Sequence, residues 1–243
     1  MASQTLPKWV KRYREYKKRY VPGTRRPYEY PINKYYAHLI DPFFTCAVFR
    51  LGVSPNQVTL FSAFIGMVAV FCILGHAWWQ AAVLIQLHHY FDGADGNLAR
   101  LTNRCTPFGA KLDNVCDRIF DLSLFSALAW VAAAPLMVKF LFALIPVFEW
   151  GLVTKLFTPT AKLYPLVRTR WKAYFLERGI LVGFDIFFVY FLISAFLLWG
   201  NLTPLLYIAL AGKALDWGYR IYECAVTLRQ HRAVIAPESR YAG

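Results

Sequence analysis

Hydrophobic residues fall along this chain in blocks of about 20, separated by short polar connections. A helix of about 20 apolar residues crosses a bilayer core about 30 Å thick, and about six such blocks fit within the sequence. The pattern therefore predicts an all-α integral membrane protein with six transmembrane helices. We place the spans at about 55–74, 81–101, 107–134, 136–157, 179–199 and 202–225.

Prolines mark the starts of two of these spans. Ser54 and Thr106 each precede a proline, which is typical of a helix N-cap followed by the first helical position. Upstream, two prolines in 27–31 break any helix, and 33–51 then has an amphipathic pattern. We expect 33–51 to form an N-terminal interfacial helix. Its predicted apolar side consists of Tyr36, Leu39, Ile40, Phe43, Phe44, Val48 and Leu51.

Composition argues against an ordinary soluble domain, because 58% of the residues are hydrophobic and only 17% are charged. The five cysteines include no CxxC pair, so neither a disulfide framework nor a thiolate zinc site is predicted. The chain starts with basic and aromatic residues and has no short apolar run ending in a cleavage site, so we expect no removable signal peptide.

The positive charge is concentrated at the start of the chain. Residues 1–26 hold nine Lys or Arg and one acid, out of a formal net charge of +13. Interleaved aromatic residues indicate that 1–32 is a cytoplasmic tail at a lipid headgroup layer. Nucleic-acid binding is the disfavoured interpretation, because the positive-inside rule already explains basic residues beside spans. Basic residues also follow the even-numbered spans, so both termini, including a tail at 229–243, are predicted to be cytoplasmic.

Acidic residues are concentrated in one stretch of the predicted membrane domain, 33–228. Five of the 14 acids, all aspartates, lie between Asp92 and Asp121. An aspartate at the centre of a spanning helix costs about 2.5–3.5 kcal/mol on insertion scales, so this group requires positive partners. The spacing between Asp92 and Asp95 puts both on one face of the second span, and the spacing between Asp113 and Asp117 does the same on the third.

A short connection joins the second and third spans, so we expect them to be antiparallel neighbours with four converging carboxylates. Carboxylate-rich sites select hard cations such as Mg²⁺ or Mn²⁺, and four carboxylates can hold two of them against a phosphate. The alternative is a polar interface or a cation path, with Arg100, Lys111 and Arg118 as counterions. The glycines at the same level argue for a bound ligand, because they allow it to approach the backbone; they are Gly93, Gly96 and Gly109.

These residues resemble the signature of the CDP-alcohol phosphotransferases, DxxDGxxARx₈GxxxDxxxD, with every required position filled between Asp92 and Asp117. The segment Pro55-Asn56-Gln57-Val58-Thr59 is similar to the PNxxT element before the family's first span. The resemblance covers about 33–228 and implies a six-helix membrane enzyme, a homodimer, that uses two Mg²⁺ or Mn²⁺ ions.

The resemblance also implies roles for individual residues. Asp92, Asp95 and Asp113 would be metal ligands, and Asp117 would bind the second metal and act as the general base. Arg100 would contact the diphosphate as a catalytic residue. The remaining positions implied to border the cytidine nucleotide are Asn56, Thr59, Gly96, Ala99 and Gly109.

The expected reaction is attack of an alcohol on phosphorus, which expels CMP and makes a phospholipid. Gly109 to Arg118 fits the pattern GAxLDxxxDR, which favours transfer of the phosphatidyl group of CDP-diacylglycerol to a polar alcohol. Thr106-Pro107-Phe108 keeps open the alternative, transfer from a soluble CDP-alcohol of the choline or ethanolamine type to a lipid hydroxyl. A membrane prenyltransferase and a cation transporter are more remote. The acceptor, and the choice between a bacterial inner membrane and the endoplasmic reticulum, stay open, with the active site expected to face the cytoplasm.

Other polar residues in the spans have weaker interpretations. His88 and His89 lie one turn before Asp92, and a helix-interface role is favoured over metal binding because imidazole suits hard cations poorly. Asp121 is expected to pair with Arg118 or a neighbouring helix. Arg168 and Arg170 are candidates for an acceptor phosphate. The sixth span carries a polar stripe, either a salt-bridge ladder against the fifth span or part of the acceptor pocket: Lys213, Asp216, Arg220 and Glu223. Glu149 and Asp185 have no partner that the sequence identifies.

Overall fold

The computed structural model describes residues 28–238 together with Glu15 and Lys18, and side chains as far as His231. Apart from Glu15 and Lys18, residues 1–27 of the predicted tail therefore lie outside the described residues. Every regular element between residues 28 and 238 is helical. The helices are α1 (His38–Leu51), α2 (Pro55–Leu74), α3 (Trp78–Thr102), α4 (Pro107–Val131), α5 (Leu136–Ala143), α6 (Ile145–Leu152), α7 (Thr158–Leu163), α8 (Arg170–Glu177), α9 (Ile186–Trp199) and α10 (Thr203–Glu238).

The two helices that begin at prolines start as predicted. Ser54 and Gln57 form a reciprocal capping box at α2, and the Thr106 hydroxyl accepts a hydrogen bond from the Gly109 backbone N–H at 3.0 Å at the start of α4. At the other end of the α3–α4 connection, Asn103 has a left-handed backbone (φ 55°) that closes α3. These caps fix where the two aspartate-bearing helices end and begin.

The second and third spans bring their aspartates together as expected. α3 and α4 both pack extensively against α2, and few of their own residues approach each other closely. Their carboxylates nevertheless converge, with Asp92, Asp95 and Asp113 in one group and the Asp117 carboxyl within hydrogen-bonding reach of Asp92.

The later spans differ from the predicted boundaries. The fourth runs from Leu136 to Leu163 but contains a turn at Leu144 and a π-helical stretch at Val153–Phe157. The predicted fifth span is wrong at its start, since α9 begins at Ile186, where Asp185 is the N-cap and accepts from the Phe188 N–H at 3.1 Å. The sixth helix continues beyond the predicted boundary at 228.

Two helices in the described part of the chain are long and apolar enough to cross a membrane, Pro55–Leu74 and Leu136–Leu163. One large apolar core lies between α2, α3, α4, α5, α9 and α10, with Phe120 and Phe125 fully buried inside it. Large apolar side chains also point outward, among them Phe64, Phe71 and Trp130. Such an outer surface suits lipid, because apolar groups lose nothing in contact with acyl chains.

Segment 33–51 is helical, with a π-helical turn at Asn33–Ala37 before α1. Its predicted apolar side divides into two. Val48 is buried against α3 and Phe44 stacks on Tyr90 with ring centroids 5.1 Å apart, whereas Leu39 and Phe43 are exposed. The inward residues hold α1 on the domain, and the outward ones match an interfacial helix, which remains a prediction.

Candidate active site

Three aspartates from α3 and α4 meet at one point. One carboxylate oxygen from each of Asp92, Asp95 and Asp113 lies within 4.8 Å of the other two. Thr59, on α2, donates its hydroxyl to Asp95 in a short hydrogen bond and fixes that carboxylate. Metal–oxygen bonds to Mg²⁺ are about 2.0–2.1 Å, so oxygens this close can share a cation after small side-chain movements. The donor set contains oxygen alone and so fits the hard cations expected here.

Asp117 lies one helical turn beyond Asp113 and is not part of this three-residue group. Its carboxyl is within hydrogen-bonding reach of Asp92, so it adjoins the group on one side. It also lines a second cavity, of about 510 Å³. Asp117 can therefore contact both an ion held by Asp92 and a molecule in that cavity.

A cavity of about 190 Å³ opens on the other side of the aspartate group, between α2, α3 and α4. It is lined by Asp95 and Asp113 and by all six residues that the resemblance assigned to the nucleotide: Asn56, Thr59, Gly96, Ala99, Arg100 and Gly109. The PNxxT residues thus meet the other elements in space, although 36 residues separate Thr59 from Asp95.

Two glycines in this cavity allow close approach. A Cβ on Gly109 would lie 2.9 Å from Asn56 Oδ1 and 3.1 Å from Thr106 Oγ1. A Cβ on Gly96 would lie 3.4 Å from the Arg100 guanidinium. Arg100 also donates to Asn97 Oδ1 at 2.7 Å, which keeps its guanidinium at the cavity wall. The missing side chains therefore leave room for polar groups and a ligand.

The larger cavity, of about 510 Å³, lies between α4, α6, α9 and α10. Its wall includes Glu149 and Asp185, for which the sequence identifies no partner. Glu149 on α6 binds three groups of α10: Lys213 Nζ at 3.2 Å, Arg220 at 3.1 Å and the Trp217 indole N–H at 2.5 Å. Asp216 accepts from the Phe184 backbone N–H at 3.3 Å, next to the N-cap Asp185.

The polar stripe on α10 thus forms salt bridges, but with different partners from those expected. Lys213 and Arg220 pair with the fourth span and not with the fifth. Glu223 pairs with Lys172 of α8 at 2.7 Å, and both side chains are buried. Lys213, Asp216 and Arg220 also line the large cavity, so their part in an acceptor pocket stays a prediction.

Tyr30 was not singled out in the sequence, yet it lines both the large cavity and a smaller one of about 220 Å³ beside it. An isolated β-bridge between Glu29 and Ile180 positions Tyr30 beside both cavities. Burial raises the pKa of Tyr30 to about 12, so its phenol stays protonated and can donate a hydrogen bond.

The two arginines expected near an acceptor phosphate are separated. Arg168 lines the cavity of about 220 Å³, whereas Arg170 is exposed at the start of α8.

His88 and Asp121 have structural partners. His88 Nδ1 lies 3.0 Å from the Ser62 carbonyl oxygen, and its ring contacts Phe120. Asp121 accepts from the Tyr190 hydroxyl at 2.5 Å and so pairs with a neighbouring helix, one of the two expected partners. His89 packs against Phe187 and lies outside the three-aspartate group.

The sequence model of the CDP-alcohol phosphatidyltransferase family matches residues 52–217. Phosphatidylinositol phosphate synthase of Corynebacterium glutamicum is 47% identical over 83 residues, which cover 33% of this chain and 37% of that protein. The protein of the same name from Mycobacteroides abscessus is 36% identical over 100 residues, covering 40% of this chain and 44% of the relative. The matches thus span less than half of these curated relatives.

Solved structures share the fold. The phosphatidylinositol phosphate synthase of Mycobacterium tuberculosis in complex with manganese and citrate superposes with a TM-score of 0.55 at 17% identity, covering 77% of this chain and 90% of that one. The same enzyme with CDP-DAG bound gives a TM-score of 0.50 at 20% identity, covering 78% and 92%. Because the family match extends over more than half of its residues, the chain belongs to the CDP-alcohol phosphatidyltransferase family, whose members are membrane-embedded, metal-dependent transferases of phospholipid synthesis.

Proposed function

We propose that this protein transfers the phosphatidyl group of CDP-diacylglycerol to the hydroxyl of a polar alcohol and releases CMP. The observation that carries the proposal is the position of the aspartate group between two cavities. Asp113 lines the cavity of about 190 Å³, whose wall includes all six nucleotide candidates. Asp117, one turn away, lines the cavity of about 510 Å³. A donor on one side and an acceptor on the other would meet at the carboxylates.

In this proposal Asp92, Asp95 and Asp113 hold divalent cations, and Asp117 binds the second. When bound, these cations neutralise the diphosphate and polarise the phosphorus that is attacked. Arg100 pairs with diphosphate oxygens, because a guanidinium matches their geometry. Asn56, Thr59 and the small residues of the same cavity border the cytidine nucleotide.

Asp117 is the proposed general base. It lines the acceptor cavity, so it can take the proton of an alcohol that enters there as the oxygen attacks phosphorus. The new oxygen–phosphorus bond replaces the bond to CMP, which leaves with the electron pair. Positioned base catalysis of this kind typically contributes 10²–10⁴-fold in rate.

The CDP-diacylglycerol version is favoured by two relatives named phosphatidylinositol phosphate synthase and by a fold shared with a synthase that binds CDP-DAG. Transfer from a soluble CDP-alcohol is the second candidate, because Thr106-Pro107-Phe108 also fits that type. We further propose six spans, a homodimer and an active site that faces the cytoplasm, at the side that receives the basic connections.

The test is CMP release by purified protein with radiolabelled CDP-diacylglycerol or CDP-choline and a panel of acceptors. We expect release from CDP-diacylglycerol that stops with a chelator and returns with Mn²⁺. Asp113→Asn should abolish it, whereas Asp117→Asn should lower kcat about 10²–10⁴-fold and keep nucleotide binding. Glu177→Gln, at an exposed site on α8, is the control. Ion flux without CMP release would support a transporter instead, and loss of CMP binding in Asp117→Asn in step with turnover would contradict the general-base role.

A further inference from the structure

The wall of the large cavity beside Asp117 carries both signs of charge. Five carboxylates and three cationic side chains line it. The carboxylates besides Asp117 are Asp121, Glu149, Asp185 and Asp216, and the cations are Arg118, Lys213 and Arg220. The acidic groups outnumber the cations, so this cavity is not an open basic pocket of the kind that holds a phosphate monoester.

Glu149 neutralises the two cations of α10 that face this cavity. One carboxylate oxygen lies 3.2 Å from Lys213 Nζ and the other lies 3.1 Å from Arg220. Lys213 is only 2% exposed, so its ammonium has exchanged water for Glu149. If a phosphate took either cation, it would leave the Glu149 carboxylate partly unpaired at a site where its side chain is only 25% exposed, which is unfavourable.

The other cationic contacts point in the same direction. Arg220 also lies 3.6 Å from Asp216, and its guanidinium stacks over Phe157 at 4.0 Å. Arg118 is exposed, and its guanidinium lies over the Trp150 ring at 4.3 Å. Of the cations that line this cavity, Lys213 and Arg220 are therefore paired with carboxylates, and Arg118 stacks on an aromatic ring.

Two carboxylate oxygens here have no hydrogen-bond partner within the described part of the chain. Asp185 Oδ2 is buried at the wall of the large cavity. Glu223 Oε1 belongs to a side chain that lines the adjoining cavity and is 3% exposed. A buried acceptor without a donor is costly, so both oxygens call for O–H or N–H groups from a ligand. Phosphate oxygens are acceptors and would be repelled.

Resting on the transferase function proposed above, we propose that the acceptor is an uncharged polyol without a phosphate group. Glu149 is then the positioning residue that sets this selectivity, because it keeps Lys213 and Arg220 from an acceptor phosphate. The hydroxyls of a polyol in the large cavity donate to Asp185 Oδ2 and accept from the paired cations Lys213 and Arg220. One hydroxyl meets Asp117.

Arg168 is the site where an acceptor phosphate would otherwise bind. It lines the adjoining cavity and has no ion pair within the described part of the chain. That cavity is not lined by Asp117, and Tyr30, Asp216 and Arg220 lie at the boundary that the two cavities share. Of the other cations in its wall, Lys172 is paired with Glu223 and Arg220 with Glu149. A phosphate at Arg168 would therefore rest on Arg168 in a cavity that Asp117 does not line.

The test compares matched acceptors with CDP-diacylglycerol as donor: inositol against inositol phosphate, and glycerol against glycerol phosphate. The measured quantity is kcat/KM from CMP release by the full-length protein in lipid. We expect kcat/KM for at least one unphosphorylated polyol to exceed kcat/KM for its phosphate about tenfold or more.

The variants test the role of Glu149. Glu149→Gln should shift that ratio of kcat/KM towards the phosphate about tenfold or more without changing KM for the donor. Asp216→Asn, which frees Arg220 in part, should shift it in the same direction if Glu149→Gln fails to fold, and Glu177→Gln should leave it unchanged.

Other outcomes overturn the proposal in distinguishable ways. The proposal is contradicted if kcat/KM for each unphosphorylated polyol is less than about tenfold that of its phosphate, or if the phosphate is the better acceptor. If the phosphate is preferred and Arg168→Gln loses that preference, Arg168 binds the acceptor phosphate. A preference for ethanolamine over both polyols would show that the acidic wall selects an ammonium group. An unchanged ratio in both Glu149→Gln and Asp216→Asn would remove the role of Glu149. Absence of CMP release with every acceptor would overturn the transferase function itself.

Discussion

The spacing of the aspartates on each helix was predictable, because side chains three or four residues apart share a helix face. Asp92 and Asp95 on α3, and Asp113 and Asp117 on α4, follow from that rule. That rule does not predict that Asp113 and Asp117 line different cavities, because the cavities are formed by several helices. Glu149 shows the same limit: it lies 64 residues from Lys213, and no local pattern reveals that pair.

Gly109 provides a prediction at the level of one residue. In Gly109→Ala the new Cβ would meet Asn56 Oδ1 at 2.9 Å, so the Asn56 side chain must leave its place in the nucleotide cavity. A displaced amide costs one polar contact, about 0.5–1.5 kcal/mol, so we expect CMP to bind up to about tenfold more weakly. Calorimetric titration of the purified protein with CMP and Mn²⁺ measures this.

Gly218→Ala is the matched control for Gly109→Ala. A Cβ on Gly218 would have open space around it within 4 Å, in the middle of α10. We expect unchanged CMP affinity there and a small gain in thermal stability, because alanine is the better helix former. Equal CMP affinity in Gly109→Ala and the wild type would show that Asn56 has no part in the nucleotide site.

At the scale of elements, helix starts at prolines were predictable because capping is local, and Ser54 and Thr106 both cap as expected. The start of α9 was not, because the apolar composition of 179–185 resembles a span. Gly179 has a left-handed backbone (φ 69°), and Asp185 supplies a cap six residues later. Hydropathy reports on burial in general, so it cannot separate an apolar loop inside a protein from a helix in lipid.

The ion pair of Lys172 with Glu223 is expected to couple α8 to α10. Both side chains are buried, and Lys172 Nζ lies 2.7 Å from Glu223 Oε2. Lys172→Met leaves a buried carboxylate without its cation, so we expect a loss of about 3–5 kcal/mol in unfolding free energy. The double variant Lys172→Met/Glu223→Leu removes both charges and should recover most of that loss. Unfolding in detergent micelles, compared across the four proteins, measures the coupling.

Lys162→Met serves as the control for this cycle, because Lys162 is exposed on α7 and has no counterion among the described residues. It should change the unfolding free energy by less than about 0.5 kcal/mol. If the double variant were as unstable as Lys172→Met alone, the destabilisation would come from lost packing and not from an uncompensated charge.

At the scale of the molecule, the chain closes the proposed acceptor cavity with a segment remote in sequence. Residues 28–32 lie against the connection before α9, where Leu181 N–H donates to the Glu29 carbonyl at 2.9 Å and Lys34 Nζ donates to the Arg178 carbonyl at 2.9 Å. Tyr30 thereby reaches both cavities. The family and its aspartate group were recognisable from one continuous motif, whereas this closure joins residues nearly 150 positions apart and has no local signature.

His38 makes this closure depend on pH. Its imidazole contacts Glu29 in a short ion pair and lies 3.4 Å from Asp41. The neighbouring Asp41 carboxylate, followed by that of Glu29, raises the pKa of His38 above 6.5. A group whose pKa rises on folding stabilises the folded state below its unfolded pKa, and that contribution disappears as the pH rises through the folded value. We therefore expect the thermal midpoint in detergent to fall as the pH rises above about 6.5. His38→Gln should reduce the change of the thermal midpoint with pH, since an amide can form hydrogen bonds but does not titrate. The control is His76→Gln, at an exposed site between α2 and α3, which should keep the same pH dependence as the wild type. A slope of the same size in His38→Gln would assign the pH dependence to other groups.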